Sequence, residues 1–143
     1  MAVYTRCKVK DVFMGKLEYG KDILEELTSI CEKENVTLGI INALGAVQKA
    51  TIGFYNQETK EYQFEEVDEP LEITALVGNI SLRDGKPIIH AHITLSDEHD
   101  NAIGGHLATG TTVFACEFEI IELEGPAYER GLDQITRLPL WKM

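Results

Sequence analysis

Basic residues are scarce in this chain: 13 Lys and Arg stand against 24 Asp and Glu, a formal net charge of −11. Nucleic-acid binding draws its affinity from cationic side chains neutralising phosphates, so such a surface repels a phosphate backbone. The same argument weighs against an anionic membrane face. Cysteine is sparse as well. Cys7, Cys31 and Cys116 are scattered, odd in number and form no Cys-x-x-Cys pair, which points to buried thiols in a reducing cytoplasm. Met1 to Cys7 lacks an apolar core, so no secretory signal is expected there. The uncharged run from Thr37 to Gln48 is far short of the ~18 residues a membrane span needs. Also missing are a Gly-x-Gly-x-x-Gly or Walker-type loop and a recognisable Ser or Cys nucleophile motif. Gly104-Gly105 is followed by no strong helix, so it makes a poor phosphate cradle.

What is present suits a single domain spanning residues 1–143. With 44% hydrophobic residues, a chain of this length can build a core without a disulfide or a structural metal. Any metal is then there for function or assembly.

The pattern predicts an α+β domain, a mostly antiparallel sheet with one main helix. Val3 to Leu17 reads as one or two short strands. A helix opens after Gly20, with Ile23, Leu24, Leu27, Ile30 and Cys31 on one stripe and Asn35 as its stop. Val36 to Val47 reads as a buried strand. Ala50 to Tyr55 and Glu61 to Val67 flank a hairpin-like connection over Asn56 to Lys60. Leu71 to Leu82 and Pro87 to Leu95 are strands joined by a turn at Arg83-Asp84-Gly85-Lys86. Thr111 to Leu123 is a long β-branched and aromatic strand. The tail from Gly125 reads as a short helix plus an extended arm.

All four histidines fall between Ile89 and Leu107, and His90, His92 and His106 are the three that draw attention. In a strand, alternate residues share a face, so Ile89, Ala91, Ile93 and Leu95 take one side and His90, His92 and Thr94 the other. His106 follows two glycines, which let the backbone turn sharply and approach a neighbour closely. Two readings fit these residues. The histidines are solvated on a polar strand face, or they converge as three neutral nitrogens on one metal ion with a position left open. Imidazoles suit zinc, iron, nickel, cobalt and copper. Metal-assisted chemistry wants a carboxylate nearby, for which Glu72 is the first candidate as a catalytic residue and Glu117 and Glu119 follow. Each also reads simply as a solvated glutamate on an acidic protein. Asn79 and Thr94 are candidate hydrogen-bonding groups for a ligand, and His99 reads as a surface residue.

Several runs resemble the PPC (plants and prokaryotes conserved) domain family. They are Leu17-Glu18-Tyr19-Gly20-Lys21-Asp22, Gly45-Ala46-Val47 followed by Gly53-Phe54-Tyr55, Glu72 to Ser81, His90 to Leu95, and Gly104 to Leu107. The match covers nearly the whole chain in order, and its histidine segments are those of stand-alone prokaryotic members. The resemblance implies a homotrimer whose three histidines bind a metal, often zinc, and favours the metal reading of His90, His92 and His106. The first expectation is therefore a metal-binding trimer, an enzyme or a binder acting on an unidentified small molecule. The alternative is a DNA-associated or protein-interaction module, as in plant relatives that join the domain to AT-hooks. This chain has no Arg-Gly-Arg hook and carries Lys16 where the family pattern has arginine. With its charge, that argues against direct DNA binding.

Overall fold

The computed structural model describes all residues 1–143: nine strands and one helix. The helix, α1 (Ile23–Glu34), starts where the sequence supplies a cap. Asp22 is extended and its Oδ1 accepts from the Glu25 backbone N–H at 3.0 Å. Its Oδ2 accepts from the Gly110 N–H, which ties the helix start to a distant loop. Asn35 ends the helix in the left-handed region, and its N–H bonds the carbonyls of Cys31 and Glu32. Ile23, Leu27 and Cys31, four residues apart, form the buried stripe.

The strands follow as β1 (Lys8–Lys16), β2 (Gly39–Asn56), β3 (Glu61–Val67), β4 (Leu71–Arg83), β5 (Lys86–Ser96), β6 (Ala102–Leu107) and β7 (Thr112–Glu124). They pair antiparallel in the order β1-β7-β2-β4-β5-β6, with β3 also on β2. The last strand curls back, since Ile52 and Gly53 of β2 pair with Leu107 and His106 of β6. Thus β2, β4, β5 and β6 close a ring. The sequence predicts two strands between residues 36 and 55, but β2 is continuous. It bends instead of breaking, by register shifts beside Gly45 and Val47. Gly45 has φ of 142° and lies so close to Ala115 that no side chain fits.

Two turns match their sequence signals. Asp84 and Gly85, at φ of 52° and 74°, form the tight β4–β5 connection. Asn56 Oδ1 accepts from the Glu58 and Thr59 N–H groups in the β2–β3 turn. The tail differs from expectation, for it contains no helix. Arg130–Leu132 (β8) and Pro139–Trp141 (β9) pair as a two-stranded sheet. Asp133 folds the connection by accepting from the N–H and hydroxyl of Thr136. Tyr128 docks the tail on the end of β4, its carbonyl taking the Leu82 N–H at 2.9 Å.

One cluster of 23 buried apolar residues lies between α1 and the inner face of the strands. Cys31 and Cys116 are in it, and Cys7 is half-buried. Burial pushes the Cys31 thiol up to about 12 and the Cys116 thiol up to about 11, so neither is a nucleophile near neutral pH. The outer face differs. Ile40, Leu44 and Val77 are exposed on strands whose alternate residues are core, and Val12 and Met14 are exposed on either side of the half-buried Phe13 of β1. No helix is long and apolar enough to cross a membrane.

Candidate metal centre

His90, His92 and His106 meet. One ligand nitrogen from each lies within 4.8 Å of the others. The ring centroids are 5.2 Å apart for His90 and His92, 5.1 Å for His90 and His106, and 5.7 Å for His92 and His106. Strand alternation puts the first two on one side of β5, because Ile89, Ala91, Ile93 and Leu95 are claimed by the core. Register brings the third, since His106 stands directly across from His92 on one side and from Gly53 on the other.

The double glycine before His106 makes that register possible. A Cβ on Gly105 would meet the Gly53 carbonyl oxygen at 2.6 Å, and one on Gly104 would meet the Ile93 carbonyl oxygen at 2.8 Å. Only bare backbone lets β6 sit this closely between β5 and β2.

The donors suit a divalent ion. Nδ1 of His106 is buried and has no hydrogen-bond partner in the protein. A buried polar atom left unpaired is costly, and a metal ligand bond is one way to satisfy it. Tetrahedral coordination at about 2.0–2.1 Å puts nitrogens about 3.3 Å apart, so the three, now within 4.8 Å of one another, would draw closer on an ion. Burial, then the neighbouring His106, Arg130 and His92, pushes His90 down to about 4. Burial, then His92 and Arg130, also lowers His106. These two imidazoles are therefore held neutral, the form that binds metal. His92 is exposed, which leaves the cluster open on the outer face.

The candidate carboxylates do not join the cluster within the chain. His92 pairs with Val77 of β4, whereas Glu72 pairs with Ser96, roughly 16 Å further along the strand. Glu72 lines a separate cavity with Ser96, Asp97 and Glu98. Glu117, Glu119 and Lys16 line another, against Met14 and Leu44. Asn79 is opposite His90, but its Oδ1 already accepts from Arg130 Nη2 at 2.7 Å. Thr94 lies beyond His92 on β5, and its carbonyl accepts from the Thr74 hydroxyl. His99 is on the surface, as expected, in a loop folded by Asp97.

Sequence reasoning missed the residues on the inner side of the cluster. Tyr62 of β3 packs against His106 with centroids 5.0 Å apart and ring planes tilted by 40°. Arg130 and Arg83 share a cavity of about 200 Å³ with Tyr62, His90 and His106. Arg130 is buried, and burial, then Arg83, lowers its pKa while Tyr62 raises it. No local signal marked these residues. Arg130 comes from the tail and Tyr62 from the β2–β3 hairpin, and only tertiary packing delivers them.

Known proteins show the same fold. A metal-containing protein from Archaeoglobus fulgidus is 41% identical, with a TM-score of 0.94 and full coverage of both chains. A plant- and prokaryote-conserved (PPC) protein from Pyrococcus horikoshii is 32% identical, with a TM-score of 0.93 over 99% of this chain and 98% of its own. A stretch of 118 residues, 82% of this chain, is 29% identical to the bifunctional protein GlmU of Synechococcus sp. (strain JA-2-3B'a(2-13)). The chain spans only 17% of that relative's length. The model of the Plants and Prokaryotes Conserved (PCC) domain matches residues 4–124, and with the strand order and histidine cluster described above, the chain belongs to that family.

Proposed function

We propose that this chain is a homotrimeric metal-binding protein that holds one divalent ion, zinc in the first instance, on His90, His92 and His106 and binds or transforms a small molecule there. The observation that carries the reading is the convergence of three imidazoles around a buried, unpaired His106 Nδ1. The Archaeoglobus relative, described as metal-containing, supports it. A three-nitrogen site leaves a position open for ligand, where a bound ion polarises a carbonyl or lowers the pKa of its water to about 7. The chain's own contribution is to keep His90 and His106 neutral, to wedge His106 against Tyr62, and to leave His92 facing outward.

The trimer is supported by the exposed apolar residues of the outer face, which is also the face on which His92 opens. A second copy laid there would shield the site from water. Glu72 is too distant to act at the ion within its own subunit, so a catalytic role for it requires delivery by another copy. The charge of −11 supports the absence of direct DNA binding.

Metal analysis of the purified chain tests the reading. About one divalent ion per chain is expected, lost in His90→Ala, His92→Ala and His106→Ala. Protein that neither retains nor takes up a divalent ion would refute it.

A further inference from the structure

Arg130 is the one buried cation of this protein, and no carboxylate pairs with it. Its Nε donates to the Ser81 hydroxyl at 2.8 Å, Nη1 to the Pro139 carbonyl at 2.9 Å and Nη2 to Asn79 Oδ1 at 2.7 Å. All three acceptors are neutral. They orient the guanidinium and use three of its five N–H groups, leaving two. Trp141 lies under it at 5.7 Å and is stacked in turn on Tyr128. A buried charge is costly unless something neutralises it.

The chain has 24 acidic residues, yet none lines the cavity that Arg130 faces. That cavity is also lined by a second, exposed guanidinium, Arg83, and by His90, His106 and Tyr62. Tethering the tail accounts for the three hydrogen bonds, which go to neutral acceptors and do not by themselves require a charge. It does not account for a positive charge kept without a partner beside another positive charge.

We infer that this cavity is the ligand subsite of the histidine centre and takes a small organic anion, its carboxylate or phosphate held by Arg130 and Arg83 while the rest of the molecule reaches the imidazoles. The inference rests on the proposed function in treating the three histidines as the adjoining metal site. A guanidinium fork matches the geometry of both oxyanions. The volume of about 200 Å³, roughly the share of six or seven waters, limits the ligand to a small acid. An ion on the histidines adds positive charge next to the same cavity and strengthens the demand for an anion. Arg130 lies beyond the residues matched to the family model, 4–124, so the tail completes a cavity whose other polar walls, Tyr62, Arg83, His90 and His106, come from the matched domain.

Isothermal titration of the zinc-loaded full chain with lactate, inorganic phosphate and neutral lactamide tests this. At least one anion is expected to bind, with lactamide at least tenfold weaker. Arg83→Ala and Arg130→Met are each expected to weaken that binding about tenfold or more with zinc content unchanged. A preference for lactate identifies a carboxylate ligand, and a preference for phosphate identifies a phosphate ester. If Arg130→Met fails to fold, the exposed Arg83→Ala carries the test. No binding of either anion, equal binding of lactamide, or unchanged affinity in Arg83→Ala overturns the inference. Zinc retention without anion binding sinks this inference alone. Arginine-dependent anion binding by a chain that takes up no zinc sinks only the metal reading.

Discussion

The histidines show how burial prepares a residue. In the unfolded chain an imidazole titrates near 6.5, whereas in the fold His90 is pushed down to about 4 and His106 is lowered too. Below pH ~6.5 the unfolded chain therefore binds more protons than the folded one, and stability falls as pH drops toward about 4. The urea midpoint of the metal-free protein is expected to decrease between about pH 7 and pH 5, and His90→Asn to flatten that decrease. Metal follows the same sign, because ligation needs neutral imidazole. Bound metal should persist near pH 6, where free imidazoles are largely protonated, and be released on approach to pH 4, as dialysis followed by metal analysis will show. Glu72→Gln marks a contrast. With Glu72 roughly 16 Å along β4 from the histidine register, metal content in that variant is expected to match the parent.

At the scale of elements, the site is a matter of strand approach. Gly105 lets β6 lie against Gly53 of β2. Gly105→Ala should push these strands apart, shift His106 and reduce metal affinity at least tenfold, while the helix signal in circular dichroism stays. Asp22 is a second such point. It caps α1 and also holds the Gly110 N–H. Asp22→Ala is expected to cost about 2 kcal/mol in chemical unfolding without loss of metal. Both features have local signatures. A helix cap, the Asp84-Gly85 turn and the period-2 alternation around His90 and His92 depend on neighbours in sequence, and each is legible there. The unity of β2 was not, because a bulged strand and two strands have the same local pattern. The tail was not legible either. Arg130–Leu132 is a strand only because Pro139–Trp141 and the end of β4 lie beside it.

For the whole molecule, an apolar outer face is exposed in a single copy. Light scattering should give three copies per particle at micromolar concentration, and Leu44→Lys should shift it toward monomer by burying a charge in the contact. The charge balance of −11 predicts no mobility shift with duplex DNA, even at low salt.

What the sequence determined by itself was the set of parts: one helix with its caps, a run of antiparallel strands, and three histidines spaced so that two must share a face. Those follow from interactions between near neighbours along the chain. What only the tertiary structure decided was who stands next to whom. The ring closure that carries His106 to His92, the distance that separates Glu72 from them, and the tail that brings an unpaired Arg130 to the same cavity all arise from pairings across many residues. Sequence spacing carries no record of those pairings.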